Sequence, residues 1–469
     1  MQAKFIYHIM IAEVKSLGPI KSATIDLNKP LTIFCGPNST GKTYLSYLLY
    51  AIYDDSEYIE SKTINRIVKT LLSEHKFSLD ETLINNFLDD IAIGVKFRLG
   101  SIFGIGDTMV ERLFSQFNIK LYITKDEYEE IIHNPSQLGT RNSESERIFS
   151  KEANSNEVIY LYNGKTNDTT REEQINLIFM LNRFFRLLCL GNPNGVRMLT
   201  VERNSIYTFK TELSLRRNEL IDRIQQKSTH SEIDILDIVN SSSRRYPLAV
   251  RSSLRIANDL ENVQKIKSTY YAIAEMIEGG VLNGEVKITK NGDVEFISSR
   301  VGASKHIPIH MSSSIVKTMS SLVIYLKHIA QEGDLLIIDE PEMNFHPDVQ
   351  IRLTRIFAIL SKLKLRIIIS THSDYIIREF NNLVMAGALS DKQLVTELGY
   401  NDNMLLNKDA IAVKYFNYGK RKRDLEVVDI KVSDDGFSVQ SIDNTINEQN
   451  QITETLFDRL QEEKDYDRV

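Results

Sequence analysis

Four apolar residues in a row, Leu335 to Ile338, run straight into two acids, Asp339 and Glu340. An unbroken run of this kind suits a strand buried on both faces of a parallel sheet, with the acids at its C-terminal end. Leu31 to Phe34 and Leu365 to Ile369 are two more strand-like, mostly apolar runs, interrupted only by Thr32 and Arg366. A helical stretch, YLSYLLYAIYDD at 44 to 55, follows the first, and Ser370-Thr371-His372 ends the second. Elsewhere the pattern alternates. Residues 1 to 15 read as a strand, and EVKITKNGDVEFIS (285–298) reads as a hairpin around Asn291-Gly292, a type I′ turn signal. EVVDIKVSDDGFSVQSID (426–443) reads as another hairpin, turning at Asp434-Asp435-Gly436. Helical spacing picks out Ile315, Met319, Leu322, Val323 and Leu326 within residues 310 to 330. It also picks out Ile452, Leu456 and Leu460 in a polar helix near residue 456.

Between the first and second halves of this strand set lies a long, different segment. Residues 60 to 190 read as mostly helical, with polar loops such as IIHNPSQLGTRNSESER (131–147). The strongest apolar helix is INLIFMLNRFFRLLCL (175–190), a core element or an oligomer contact. VRMLTVERNSIYTF (196–209) is a strand-like run leading into Glu202-Arg203, followed by a charged helix with Leu213, Leu220 and Ile224. Sustained heptads are missing, so no long coiled coil is expected. Arg244, Arg245, Arg251, Arg255, Lys265 and Lys267 form either a DNA-facing stripe or a solvated helix face, interrupted by Asp259 and Glu261. Aromatic interleaving is thin there, which makes it a weak nucleic-acid signal. Lys420 to Arg423 is a further short basic cluster.

Composition narrows the class. A chain of 469 residues is too long for one simple core. Hydrophobic content of 42% with 26% charged residues is that of a soluble globular protein. A net charge of −6 argues against a protein built mainly to coat nucleic acid. The 2 cysteines, Cys35 and Cys189, make no disulfide framework, and a reducing cytoplasm fits best. Cys35 reads as a small residue filling space under the loop that follows it. No apolar run approaches the roughly 18 residues of a membrane span, and the first residues do not read as a signal peptide.

GPNSTGKT, residues 36 to 43, carries the most specific chemistry. It matches the G-x-x-x-x-G-K-[ST] phosphate loop at every fixed position, between a strand and a helix as the physics requires. Gly36 and Gly41 let the backbone turn its N–H groups inward around an anion, across Pro37, Asn38, Ser39 and Thr40. The helix behind adds its positive end. Lys42 is a movable charge for the β- and γ-phosphates of ATP, and Thr43 offers a hydroxyl to Mg²⁺. Asp339, at the end of a buried strand, is the natural second partner of that Mg²⁺, and Glu340 the natural residue to polarise an attacking water. His372, neutral at a strand end, can donate to a γ-phosphate.

The order GPNSTGKT, LLIIDEPEMNFHP, IIISTHSDYIIRE resembles the ABC-type ATPases, in the branch holding SMC, RecF and OLD proteins. The opening IAEVKSLGPIKSATIDLNKPLTIFCGPN is similar to that branch's first hairpin leading into its phosphate loop. The resemblance implies an α/β fold: an ABC-type P-loop head with a mostly helical inserted arm and a C-terminal hairpin-helix tail. Its parts are expected at 1–60 (first half of the head), 61–275 (arm and oligomerisation region), 276–425 (second half) and 426–469 (tail). In such families two heads sandwich two ATPs, and a serine-bearing segment of one head caps the nucleotide held by the other. The counterpart here is HMSSSIVKTMSSLVIYLKHIA, whose Ser312, Ser313 and Ser314 precede a helix and supply its N-cap; the glycine usual after serine is absent. PEMNFHP would cross between heads, with His346 either reaching the opposite head or holding the turn before Pro347. Glu202-Arg203 is either a re-entry into the head near the nucleotide, as in the OLD-like branch, or a surface ion pair.

The compact arm and the SDYIIRE continuation look most like the stand-alone ATPases of phage-defence operons, such as the ATPase component of PARIS-type systems. That resemblance implies a homo-oligomer, a TOPRIM-type effector protein held by the ATPase, a phage trigger protein, and no membrane. No H-x-x-x-H, C-x-x-C or Ser–His–Asp pattern suggests a nuclease within the chain. A RecF-like ATPase whose main act is binding DNA is the alternative.

Overall fold

The three apolar runs stand side by side. In the computed structural model, β3 (Leu31–Cys35), β14 (Arg366–Thr371) and β13 (Leu335–Asp339) are parallel neighbours. β15 (Ile411–Tyr418) joins in parallel beyond β3, and β9 (Val196–Leu199) in parallel beyond β13. The sheet continues past β15 through β16 (Leu425–Ile430), β2 (Ile20–Asp26), β1 (Ile11–Leu17) and β5 (Asn118–Tyr122), nine strands among the described residues. The residues described are 10–54, 61–141, 145–164, 171–191, 195–210, 246–299, 306–418 and 425–466. Four readings from sequence lie outside them: the strand over residues 1 to 9, the helix with Leu213, Leu220 and Ile224, Arg244 with Arg245, and the cluster Lys420 to Arg423.

Side-chain alternation explains why the central parallel strands are mostly apolar. Phe34, Leu335, Ile337 and Ile368 face one core, while Ile33, Leu336, Ile338, Ile367 and Ile369 face another. Each face is covered, so each strand position is buried. The first core is shared with helix Lys42–Tyr53 and with helices Lys62–Glu74, Glu81–Phe97 and Arg171–Leu190 of the intervening segment. The second is shared with helices Tyr271–Ile277, Ser314–His328, Pro347–Lys362 and Asp374–Ala388. Helix Arg171–Leu190 is core: Leu181, Phe184, Phe185 and Leu188 are fully buried, though Ile175 and Phe179 stay half exposed.

The intervening segment is less purely helical than its sequence suggests. β4 (Lys76–Ser78), β6 (Ser136–Arg141), β7 (Ser145–Lys151) and β8 (Glu157–Gly164) form a four-stranded antiparallel sheet. The polar stretch 131–147, expected as a loop, contributes β6 and the start of β7. Phe149, Val158 and Tyr160 anchor one face of this small sheet, while the other is solvated even at Ile159 and Leu161; β6 and β7 carry few apolar residues. β5 and β9 from the same segment belong to the large sheet.

Two hairpins were expected after residue 284, and they fare differently. β10 (Gly284–Ile288) and β11 (Val294–Ser298) pair antiparallel around Gly292 (φ 78°), joined by β12 (His306–Pro308). The C-terminal one is corrected. β16 pairs not with the residues beyond its own turn but with β15 and β2, inside the large sheet. The turn at Asp434–Gly436 exists, closed by a single bridge between Ser433 and Gly436, and the chain then enters helix Gln440–Tyr466. A strand already paired on both edges leaves no room for a returning partner. Among the described residues, no helix is long and apolar enough to cross a membrane.

Candidate functional site

Register places the chemistry. Asp339 lies opposite Ser370, and Thr371 opposite Cys35, so β13, β14 and β3 end together at one edge of the sheet. Ligands of open parallel sheets bind outside the carboxyl ends of the strands. Loop 36–43 leaves β3 at that edge. Gly36 has φ 135°, and a Cβ there would collide with the Phe416 carbonyl oxygen, so only glycine fits. Positive φ recurs at Ser39 (61°) and Gly41 (85°), the latter capping helix Lys42–Tyr53 without a side-chain bond. These reversals turn successive N–H groups toward one concavity. Asn38 and Ser39 are exposed at its lip, while Thr40 is buried and donates to the Pro37 carbonyl at 2.8 Å.

Lys42 lies beneath the loop, with its Nζ donating to the carbonyls of Gly36 (3.0 Å) and Pro37 (2.8 Å). Phosphate oxygens are stronger acceptors than these carbonyls and would compete for the same ammonium protons. Burial pushes Lys42 down to about 8, opposed by the charges of Asp339, Glu340 and Glu342. Cys35 itself is fully buried and pushed up to about 12 by that burial, an inert filler under the loop.

Thr43 Oγ1 donates to Asp339 Oδ2 at 2.8 Å, and Ser370 Oγ donates to Asp339 Oδ1. Asp339 is 1% exposed, so it is not a solvated strand end. A hydroxyl and a carboxylate side by side are hard oxygen donors, which suits Mg²⁺, an ion that keeps much of its water and takes few protein ligands. On the other side of Asp339 stands Arg203, 3% exposed. Its guanidinium donates to the carbonyls of Asp339 and Glu340, each at 2.6 Å, and of Thr200 at 3.0 Å. Burial lowers it to about 10, opposed by Asp339, Glu342, Glu340 and Glu202. β9 therefore re-enters the large sheet beside β13, and Arg203 is not part of a surface ion pair.

Glu340 continues the ladder by one bond, its N–H donating to the Ser370 carbonyl at 3.0 Å, and then turns left-handed at φ 48°. Its side chain is partly exposed beside the loop. His372 is partly buried; burial and the charge of Lys42 push it down to about 4, against a backbone hydrogen bond with Gly36. The imidazole is therefore neutral at ordinary pH and sits against the phosphate loop.

Residues 10–377 match the family model of the AAA ATPase domain. The chain belongs to that family. No functionally curated protein matches it. Among solved structures it is similar to the Smc head bound to the C-winged helix domain of ScpA: 10% identity, 91% of this chain and 98% of that chain covered, TM-score 0.38. It is also similar to a Pyrococcus furiosus Smc head domain with an extended coiled coil, bound to the C-terminal domain of ScpA: 11% identity, 95% and 99% covered, TM-score 0.34. A third is the SMC head domain from Thermotoga maritima: 10% identity, 91% and 100% covered, TM-score 0.32.

Within this ATPase domain the three serines stand apart from the loop. Ser313 and Ser314 are exposed at the start of helix Ser314–His328, and Ser312 Oγ donates to the Pro308 carbonyl at 3.3 Å. The expected serine cap is corrected: Ser313 occupies the N-cap position, but its side chain makes no capping bond. His346 is exposed and its Nδ1 lies 2.6 Å from Asp348 Oδ1; it occupies the N-cap position of the helix starting at Pro347, but its side chain makes no capping bond. Asn344 is exposed with φ 65°. Of the basic residues proposed as a stripe, Arg251 donates to the Ser101 carbonyl at 3.1 Å and packs against the helix Leu99–Phe103. Sequence reasoning missed Ser370 and Glu342. The signal for Ser370 was its place at the end of an apolar run, level with Asp339.

Proposed function

We propose that the chain binds ATP with Mg²⁺ at the ends of β3, β13 and β14 and hydrolyses it, with a second copy completing the site. The observation that carries this reading is the 2.8 Å hydrogen bond from Thr43 to Asp339, which joins the phosphate loop to the acid-tipped strand across 296 positions. Gly36 to Thr43 hold the phosphates, Lys42 exchanging its loop carbonyls for β- and γ-phosphate oxygens. Thr43 and Asp339 would hold Mg²⁺, which when bound neutralises charge on those oxygens. Glu340 takes the proton from the attacking water. His372, neutral, donates a hydrogen bond to the γ-phosphate and loses that partner when phosphate leaves. Ser313 and Ser314 are exposed and Ser312 partly so, which suits a segment reaching the nucleotide of another copy.

The cycle of closing and opening controls an effector, in this reading a TOPRIM-type nuclease freed when a phage protein is sensed in the cytoplasm. The resemblance of the compact arm and the SDYIIRE continuation to stand-alone defence-operon ATPases supports it. A RecF-like role has less behind it, because Arg251 of the basic stripe is engaged by Ser101. The test is ATP turnover by wild type and Lys42→Ala, with and without duplex DNA, alongside co-expression with a TOPRIM-type neighbour. Turnover that is lost in Lys42→Ala, indifferent to DNA, and coupled to capture of the neighbour is expected. Strong stimulation by DNA, falling steeply with salt, would transfer the protein to the repair class.

A further inference from the structure

Glu342 lies two residues beyond Glu340, and the hydrolysis scheme leaves it without a task. Its Oε1 accepts two hydrogen bonds from the end of β14: Thr371 Oγ1 at 2.9 Å and the His372 backbone N–H at 2.7 Å. Its Oε2 is buried and has no hydrogen-bond partner among the described residues. Burial holds the carboxyl above its ordinary range, although both bonds at Oε1 pull the other way. A carboxylate half-satisfied in the interior is costly, so packing alone does not explain it.

The bonds continue in a ring. Thr371 Oγ1 accepts from the Ser373 N–H at 3.0 Å, and Ser373 Oγ donates to Gln350 Oε1. Gln350 Nε2 then donates to the Phe345 carbonyl at 2.9 Å. The loop Pro341–His346 is thus stapled twice to residues 371–373, once through Glu342 and once through Gln350. The same loop and the residue before it hold two non-glycine residues in the left-handed region, Glu340 and Asn344, at φ 48° and 65°. Such residues persist only where the surroundings over-determine them. Asn344 and His346 are exposed at the far side of the ring.

We propose that Glu342 is a positioning residue that locks the His372 segment to the loop Pro341–His346, so that loss of the γ-phosphate at His372 is passed to the surface residues Asn344 and His346. This rests on the reading of the site as an ATPase that closes on a second copy. The ring supplies a rigid connection between an inner sensor and an outer contact, and Glu342 is its only charged member.

Three quantities separate the outcomes: affinity for a fluorescent ATP analogue, kcat, and ATP-dependent mass by light scattering. Glu342→Ala should keep the affinity within about twofold, lower kcat by about ten- to a hundredfold, and lose the ATP-dependent change in mass. Glu342→Gln keeps an acceptor oxygen for Thr371 and His372, and should stay within about threefold of wild type in all three. Should Glu342→Ala fail to fold, Thr371→Val removes the hydroxyl and with it two bonds of the ring, the one to Glu342 and the one from the Ser373 N–H, with a kcat loss of about threefold or more at unchanged affinity. Wild-type kcat and mass change in the alanine variant overturns the proposal, as does a glutamine variant as damaged as the alanine one. Wild-type protein that neither hydrolyses ATP nor changes mass with it sinks the parent reading as well, which keeps the two failures distinct.

Discussion

Thr43 and Asp339 meet at 2.8 Å, hydroxyl to carboxylate, although one begins a helix and the other ends a strand far along the chain. The contact exists because β3 and β13 flank β14 in parallel register. Asp339→Asn keeps the shape and still lets Thr43 donate to an oxygen, but removes the charge facing Lys42 and Arg203. ATP turnover should fall by about a hundredfold or more, with magnesium dependence abolished. Circular dichroism should show the fold retained. Full activity in this variant would remove Asp339 from the metal site.

Glu340 is partly exposed, and its charge acts on Lys42 in the phosphate loop. Glu340→Gln removes the base without removing bulk. Turnover should drop by about a hundred- to a thousandfold while ATP binding persists. ATP should then hold the protein in a closed assembly, read as a lasting increase in mass by light scattering. Dissociation of that assembly as fast as wild type would end the assignment.

Arg203 makes three hydrogen bonds to carbonyls at and just beyond the strand ends, those of Thr200, Asp339 and Glu340. Arg203→Ala removes all three charge-assisted bonds, although the Thr200 and Glu340 carbonyls keep the backbone N–H groups of Arg203 and Met343, and should cost about 3 kcal/mol. Denaturant midpoints measure this loss. Arg203→Lys restores charge but not the planar fork, so it should recover only part of the stability and leave kcat low. Equal behaviour of the lysine variant and wild type would mean that charge alone matters there.

The parts of the site legible in the sequence are those whose burial writes itself into composition. β3, β13 and β14 are covered on both faces, so most of their residues are apolar and the functional groups stand out at their ends. The phosphate loop is legible because its glycines answer backbone needs, as the closeness of the Phe416 carbonyl to Gly36 shows. β6 and β7 were hidden because a sheet solvated on one face carries polar residues that read as loop. Arg203 was ambiguous because its partners are backbone carbonyls, 136 and 137 positions away, which no side-chain pattern reports. The C-terminal hairpin was misplaced because alternation predicts a strand but not its neighbour. The tertiary sheet gave β16 two partners before the turn at Gly436 could supply a third.

His372 offers the sharpest test of electrostatics. Burial and the charge of Lys42 hold its folded form at about 4, against an ordinary 6.5. Between these values the unfolded chain binds a proton that the folded chain refuses. Stability contributed by His372 is therefore present above about 6.5 and is lost as pH falls toward about 4. In ¹³C-labelled protein, one of the 9 histidine Cε1 resonances should not titrate between pH 5.5 and 8, and it should vanish in His372→Gln. That variant should also flatten the fall in stability over the same acid interval. Lys42→Met removes the nearest cation, so the His372 resonance should begin to titrate at higher pH, though burial keeps it below the ordinary value. A His372 that titrates normally in wild type would mean that the imidazole is solvated, and its contact with the phosphate loop would have to be abandoned.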